Sequence, residues 1–309
     1  MKKNLSYNFV RLIVISMLCS QVHSQGDPNF RQNQLNILQL NPAQAGSNPY
    51  SELICFASNQ WLGIPGAPKT FLTSGNFNIK NNFGIGATIL GDENGPVNLT
   101  KAEINLAYHL KLTDQWKLSL GVKMGVTNMT VNLNELLIIN KEDPFMKGVL
   151  RTGINFNAGF GGLIYSKKYY FGFSIPSVAS TSFLNHDMSR FVDTRFGQII
   201  YAGATFKLNE KIDLRPNIVY RNIKGTPLNL DFNALLTYNK KFDIGLTHQY
   251  LASLGTILGI QTTDNLYLAY SYTFPINSLN LVTFQSHELA LRYRITKKSV
   301  RPVNPRYFI

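Results

Sequence analysis

One tripeptide of this sequence combines three side chains that could perform catalysis. Ser286, His287 and Glu288 supply a hydroxyl, an imidazole and a carboxylate in direct succession. These are the groups of a hydrolase triad, in which an acid orients the histidine that activates the serine. The residues around them alternate between apolar and polar as in a β-strand, where successive side chains leave opposite faces. The three groups therefore cannot converge on one substrate.

The remaining reactive residue types also give no catalytic constellation. The sequence has no GxSxG, HExxH, CxxC or phosphate-binding loop motif. Its five histidines have no metal-ligand spacing between them, and they are His23, His109, His186, His248 and His287. Beyond Cys19 the chain has Cys55 alone, which excludes an internal disulfide. We therefore predict that the protein is not an enzyme and needs no metal or other cofactor.

Several charged residues occupy the polar positions of alternating segments. These are Lys101, Glu103, Lys123, Arg215, Asp231, Arg292 and Arg294. Around Glu103, for example, Ile104, Leu106 and Tyr108 take the apolar positions. A period of two residues predicts β-strands with one apolar and one polar face. We expect these charges to face a polar interior and to pair with one another and with the segment that precedes the strands.

The strands that carry these charges repeat almost to the end of the chain, and we count about fourteen of them between Ser51 and Thr296. Short polar connections alternate with longer ones. The short ones are 80–82, 113–115, 166–168, 209–210, 239–240 and 263–264. The predicted long ones are Asn59–Lys69, Gly91–Asn98, Asn132–Gly153, Pro176–Thr194, Asn222–Pro227 and Pro275–Gln285.

This layout is typical of an outer-membrane β-barrel, with short periplasmic turns and longer extracellular loops. The sequence thus predicts an all-β, antiparallel transmembrane barrel of about fourteen strands, whose apolar face contacts lipid. We assign to the interfacial belts Trp116, Tyr169, Tyr170, Tyr238 and Tyr293. The alternative is a soluble β-sandwich with a polar outer face, which would have shorter strands.

The chain divides into four parts. Residues 1–24 have a basic start and a short apolar run, as in a secretory signal peptide. Residues 25–50 are rich in Asn, Gln and Pro and lack strand periodicity, so we expect a plug or periplasmic segment. The barrel spans 51–296, and 297–309 form a basic tail. The net charge of +13 is scattered, which favours anionic outer-membrane lipid over nucleic acid as a partner.

Four stretches carry a family resemblance: "DPNFRQNQLNILQLNPAQAGS", "NQWLGIPGAPKTF", "GDENGPVN" and "DPFM". Together they resemble the PorP/SprF family of type IX secretion system outer-membrane proteins over nearly all of the mature chain. The sequence departs from the usual pattern at Asn33 and Gln44, where the family has aromatic residues. The motif residues that we select as partner or plug positions are Asn41, Pro42, Ala43, Gly46, Trp61, Gly66, Pro68, Lys69 and Thr70.

The resemblance implies a component of the type IX secretion and gliding apparatus in the outer membrane of a Bacteroidetes-like cell. It further implies that the protein supports export or surface anchoring of a large adhesin-type protein with a C-terminal sorting domain, and contacts periplasmic components of the system. The NPA element also resembles the N-terminal hatch of fatty-acid-transporter-like barrels. That likeness supports an N-terminal plug, and it leaves a second function open: a channel for hydrophobic or small polar solutes.

Overall fold

The computed structural model describes residues 28–79, 82–135, 148–181, 197–223, 228–277 and 285–295. Within these ranges fifteen antiparallel strands form one sheet. The strands are β1 Ser51–Asn59, β2 Lys69–Asn78, β3 Phe83–Asn94, β4 Val97–Lys111, β5 Lys117–Asn132, β6 Val149–Tyr165, β7 Tyr169–Thr181, β8 Gly197–Ala204, β9 Phe206–Lys207, β10 Ile212–Ile223, β11 Asn229–Tyr238, β12 Phe242–Gln249, β13 Ser253–Gln261, β14 Leu266–Pro275 and β15 Ser286–Ile295.

The sheet closes on itself, so that no edge is left unpaired. Apart from β8 and β9, which do not pair with each other, each strand pairs with its sequence neighbours, and β1 pairs with β15 from Ser51↔Ile295 to Asn59↔His287. Strands β8 and β9 pair with successive parts of β10, so together they occupy the place of one strand in the barrel. The described wall is a fourteen-stranded barrel, as predicted. Closure matters because backbone N–H and C=O groups facing lipid have no water to bind.

The predicted alternation of side chains is confirmed. On β4, Glu103, Asn105 and His109 are buried inside, while Ile104 and Leu106 are 55% and 43% exposed on the outer face. Outward positions of the other described strands also carry exposed apolar side chains, such as Phe171 on β7 and Leu246 on β12, because this face meets lipid rather than water. Among the described residues no helix is long and apolar enough to cross a membrane.

Two sequence expectations about this wall are wrong, and two more are wrong in part, because β7 continues to Thr181 within the predicted loop Pro176–Thr194 and β6 begins at Val149 within the predicted loop Asn132–Gly153. Gly91–Asn98 is not a long loop, because β3 runs to Asn94 and β4 begins at Val97. The polar residues that suggested a loop extend the hairpin above the apolar band, where Asp92 accepts a hydrogen bond from Thr70 Oγ1 at 2.6 Å. Tyr170 does not belong to the interfacial belt: it faces inward and packs on Tyr201, with ring centroids 6.0 Å apart. Its neighbour Tyr169 takes the outward position, 45% exposed.

Residues 28–50 lie within the ring of strands. They form two short 3-10 helices, Ile37–Gln39 and Pro42–Gln44, and a third, Leu133–Glu135, follows β5. Most of this N-terminal segment is buried, and Pro49 is its exposed residue. It contacts inward-facing parts of strands on both sides of the barrel, for example β6 through Asn41 and β15 through Gln32. The predicted signal peptide, 1–24, and basic tail, 297–309, lie outside the described residues.

Candidate functional site

The Asn-Pro-Ala motif forms a tight turn against the barrel wall. Asn41 caps the helix Pro42–Gln44, because its Oδ1 accepts a hydrogen bond from the Ala43 backbone N–H at 2.9 Å. Pro42 follows at the first helical position, where its missing N–H leaves no bond unmade. The other side of the Asn41 amide donates to the carbonyls of Gly162, at 2.9 Å, and Phe173, at 3.2 Å. This fully buried side chain therefore joins the turn to β6 and β7.

Inward polar side chains of the wall bind the backbone of the same turn. Ser174 Oγ donates to the Leu40 carbonyl at 2.5 Å, and Ser119 Oγ donates to the Ala43 carbonyl at 2.7 Å. His109 Nε2 lies 2.8 Å from the carbonyl of Ala45 and donates to it. Since a turn inside a barrel lacks a strand partner, these side chains satisfy carbonyls that burial would otherwise leave unpaired.

Gly46 fixes the exit of the segment toward β1. Its φ of 67° lies in the left-handed region, which glycine adopts without strain. Its N–H donates to Asn76 Oδ1 at 2.6 Å, and Asn78 Nδ2 donates to its carbonyl at 3.1 Å. The motif residues Asn41, Pro42, Ala43 and Gly46 thus lie together in the half of the barrel that carries the short turns.

Inward glycines of the wall make room for the segment, and the sequence pattern alone did not single them out. A Cβ at Gly84 would overlap with the Ala45 carbonyl, one at Gly121 with the Ala43 N, and one at Gly161 with Asn41 Oδ1. Gly84, Gly121 and Gly161 belong to three different strands, β3, β5 and β6. The available signal was glycine at inward positions of the alternating pattern, where a side chain would otherwise fill the lumen.

The start of the segment reaches farther across the lumen. Phe30 packs on Phe56 with ring centroids 5.0 Å apart, in a buried apolar cluster on the inner wall. The carboxylate of Glu288 accepts hydrogen bonds from the backbone N–H groups of Arg31 and Gln32, both at 3.0 Å. A carboxylate that accepts two backbone N–H groups forms strong, charge-assisted bonds.

The two residues that depart from the family pattern are both buried. Asn33 Oδ1 accepts hydrogen bonds from Asn217 Nδ2 and Asn233 Nδ2, each at 3.1 Å. An aromatic ring at position 33 could not accept these two bonds, so the polar residue here fits its asparagine neighbours. Gln44 is 3% exposed within the helix that follows Asn41.

The prediction that the inward charges pair is confirmed for three carboxylates. Glu103 binds Lys123 at 2.8 Å and Lys101 at 3.2 Å. Asp231 pairs with Arg221 and, at 3.8 Å, with Arg31 of the N-terminal segment. Burial lowers the pKa of the Arg31 guanidinium, while the charges of Asp231 and Glu288 act in the opposite direction.

Asp243 is the third paired carboxylate, on β12, the strand next to the one that carries Asp231. It accepts hydrogen bonds from Tyr267 OH at 2.6 Å and from Thr237 Oγ1 at 2.5 Å, and Arg215 Nη2 lies 3.1 Å away. Buried charges of this kind persist where hydrogen bonds compensate their lost hydration.

The second group of motif residues lies at the other end of the barrel, in the connection between β1 and β2. Trp61 has a φ of 51°, and Gly63 and Gly66 have φ of 97° and 73°, so the connection turns sharply. Its backbone is bound on two sides: Gly66 accepts from the Gly95 N–H at 2.8 Å, and the Leu62 N–H donates to Gln285 at 2.9 Å. The connection is therefore an ordered surface feature.

Within this connection Pro68 is buried, Lys69 is exposed and begins β2, and Thr70 Oγ1 bonds Asp92. The side chain of Leu62 is 51% exposed at the tip. The structure thus divides the selected residues between a lumen group, Asn41 to Gly46, and a surface group, Trp61 to Thr70, and does not bring the two together.

The Ser286, His287 and Glu288 side chains have separate partners. Ser286 Oγ accepts from the Trp61 N–H at 3.2 Å, His287 Nδ1 lies 2.6 Å from Tyr270 OH, and Glu288 binds the N-terminal segment. Across the described ranges no group of three or more His, Cys, Asp or Glu residues could hold a metal ion.

The sequence profile of one protein family, described as type IX secretion system membrane protein PorP/SprF, matches residues 22–293. The chain belongs to the PorP/SprF family. This membership places the protein in the outer membrane and associates it with the type IX secretion system. None of the curated proteins compared with the sequence matches it significantly.

Solved structures with a similar barrel include three that cover most of this PorP/SprF chain. The CymD monoaromatic hydrocarbon channel has 11% identity and a TM-score of 0.49, and the match covers 87% of this chain and 93% of that one. Acinetobacter baumannii outer membrane protein Omp33 has 8% identity and a TM-score of 0.48, with 81% and 100% covered. A Pseudomonas aeruginosa FadL homologue has 13% identity and a TM-score of 0.44, with 86% and 94% covered. At these values the similarity does not extend to function.

Proposed function

We propose that the protein is a non-enzymatic outer-membrane component of the type IX secretion system that supports export or surface anchoring of a large adhesin-type protein with a C-terminal sorting domain. Family membership supports the secretion role. The observation that carries the rest is the N-terminal segment, 28–50, which is fitted to the inside of the barrel. We infer from this filling that the barrel serves as a docking platform in the membrane rather than as a conduit.

The fit of this segment supports a plug. Asn41, Ala43 and Ala45 are each 0% exposed, and inward glycines of three strands leave space for their backbone. Hydrogen bonds to the wall fix the segment at both its start and its end, because the N–H groups of Gln32 and Gly46 donate to Glu288 and Asn76. Displacing it would expose these polar groups together, so the segment closes the lumen in the resting state.

The connection between β1 and β2, residues 60–68, is the proposed docking surface for the secreted protein. It lies at the end with the long loops, which is the cell surface in outer-membrane barrels. The backbone is already ordered, so binding costs little conformational entropy. Leu62 at its tip offers an exposed apolar contact. Most of the two other long connections selected from the sequence, Asn132–Gly153 and Pro176–Thr194, lies outside the described residues.

Contact with periplasmic components is proposed for the opposite end. There the N-terminal segment offers Pro49 as its exposed residue, together with the half-buried Ser47 and Tyr50. This surface is smaller than the sequence suggested, because most residues of the segment are buried in the lumen and cannot contact a periplasmic protein. The basic tail, 297–309, completes the proposed contact.

The test is an affinity pull-down from detergent-solubilised outer membranes, with a tag after Ile309 and mass spectrometry of the bound proteins. We expect a very large surface protein in near-equal amount, together with periplasmic secretion components. Leu62→Asp should reduce recovery of the surface protein. The matched control is Leu251→Asp, because Leu251 is 69% exposed in the turn between β12 and β13 at the same end.

If Leu62→Asp and Leu251→Asp recover the surface protein equally well, residues 60–68 are not the docking surface. A barrel that purifies alone with lipid or solute, and conducts ions in planar bilayers, would instead favour the channel for hydrophobic or small polar solutes.

A further inference from the structure

Three inward arginines near the short-turn end of the barrel have nitrogen atoms without partners. Arg294 is 1% exposed; among the described residues the Tyr50 side chain interacts with its guanidinium, but at normal hydrogen-bond geometry its Nε, Nη1 and Nη2 have no acceptor. The Nε atoms of Arg292 and Arg215 are likewise buried and unpaired. Guanidinium groups carry five N–H donors in a fixed fork. Leaving buried charged donors unpaired is costly, so their retention calls for an acceptor.

Aromatic rings stack on the guanidinium groups of Arg292 and Arg294 and leave the N–H groups in their planes free to donate. The guanidinium carbon of Arg294 lies 4.7 Å from the ring centroid of Tyr50, and that of Arg292 lies 4.7 Å from the centroid of Tyr267. Stacking covers the flat face of a guanidinium, while its N–H groups point outward in the plane. Arg292 and Arg294 are two residues apart on β15 and share its inward face, so both project toward the same side of the lumen.

The carboxylates nearby are already engaged. Glu52 Oε1 accepts from Asn48 Nδ2 at 2.5 Å and from Asn76 Nδ2 at 3.4 Å. Asp243 forms an ion pair with Nη2 of Arg215. Across the described residues no ion pair of Arg292 or Arg294 is present, although Glu52 interacts favourably with the charges of both.

A cavity of about 50 Å³ opens beside this cluster. Its wall contains Arg215, Arg292, Lys167 and Lys168, against one carboxylate, Glu52. The two lysines are exposed in the short turn between β6 and β7. A cavity of this volume holds a few water molecules or one small oxyanion. Arg215 is already paired with Asp243, so three further cations face one anion, Glu52, and this excess of positive charge favours an oxyanion in the cavity.

We propose that this cavity binds a carboxylate or phosphate oxyanion, held by Arg215 and Arg292, with Arg294 behind them and Lys167 and Lys168 at the rim. Arginine forks match both groups geometrically. The oxyanion comes either from free phosphate or from the acidic end of a peptide that enters from the periplasm. This proposal does not depend on which secreted protein the barrel serves.

The experiment measures thermal unfolding of the full-length protein in an uncharged detergent. The probes are inorganic phosphate, a tetraglutamate peptide and, as the reference, sodium chloride at the same ionic strength. We expect saturable stabilisation by phosphate or peptide and none by chloride. Arg292→Gln should weaken the apparent affinity about tenfold, since it removes a charge-assisted hydrogen bond. The matched control, Lys111→Gln, removes one exposed positive charge at a neighbouring short turn and should leave the affinity within about twofold.

Arg294→Met gives a readout that a purely structural arginine would not give. Without oxyanion this variant should unfold at a higher temperature than the wild type, because it removes an unpaired buried charge, and phosphate should narrow the difference. Tighter binding of phosphate than of peptide identifies a free ion as the ligand, and the reverse identifies an acidic peptide. If neither probe stabilises the wild-type protein more than chloride does, the proposal is wrong, whether or not the variants fold.

Discussion

The adjacent glycines of β6 test whether the barrel interior is built around the N-terminal segment. Gly161 faces inward, and a Cβ there would overlap with Asn41 Oδ1. Gly162 faces outward, where a Cβ would lie 3.8 Å from Leu120 Cδ2, an ordinary van der Waals contact. Alanine at either position reduces the entropy of the unfolded chain equally. The difference between Gly161→Ala and Gly162→Ala therefore isolates the contact with the segment.

The size of this difference follows from the hydrogen bonds of Asn41. Its side chain makes three, with Ala43, Gly162 and Phe173, and each contributes about 1 kcal/mol net. Displacing it costs about 3 kcal/mol, against an entropic gain of about 0.5 kcal/mol that both variants share. We expect Gly161→Ala to unfold roughly 6–12 °C below Gly162→Ala, on the scale of a domain of this size.

Trypsin reports on the segment directly, since Arg31 is the single Lys or Arg in residues 28–68. Cleavage after Arg31 requires the segment to leave the wall, where the Arg31 backbone is bound to Glu288. Gly161→Ala should be cleaved there faster than Gly162→Ala in detergent, as N-terminal sequencing of the product would show. Equal unfolding temperatures and equal protection of Arg31 in the two variants would refute the reasoning.

Two further predictions concern the lumen. Glu103→Gln leaves Lys101 and the buried Lys123 without their shared carboxylate. The variant should therefore lower the free energy of unfolding by about 3–5 kcal/mol, measured by thermal unfolding. The control, Glu93→Gln, lies at an exposed position on β3 and should change that free energy by less than about 0.5 kcal/mol. Deletion of residues 30–46 should raise the conductance of the protein in planar bilayers above that of the full chain, and an unchanged conductance would contradict a closing segment.

The sequence was sufficient to predict the barrel. Lipid outside and polar contacts inside require apolar and polar side chains to alternate along each strand, and this alternation can be read from the sequence. Errors arose where that constraint ends. Gly91–Asn98 combines residues typical of turns, yet above the apolar band polar residues can continue a hairpin, and Asp92 pairs with Thr70. The inward glycines were overlooked because their role depends on a segment that is distant in sequence. Gly161, for example, follows Asn41 by 120 residues, and contacts across a barrel are not visible in local patterns.

The separation of the two motif groups has a functional consequence that can be tested. The N-terminal segment joins β1 at one end, and residues 60–68 leave β1 at the other, so one strand, Ser51–Asn59, links them. Both neighbours of β1 pair with it along its length, which makes it a rigid link. Physical proximity along a strand is not evidence of coupling. If the groups act independently, Gly161→Ala should loosen the N-terminal segment and retain the surface protein, whereas Leu62→Asp should lose the surface protein and leave the segment in place. Loss of the surface protein in Gly161→Ala, with the barrel still folded, would mean that β1 transmits the state of the segment to the docking surface.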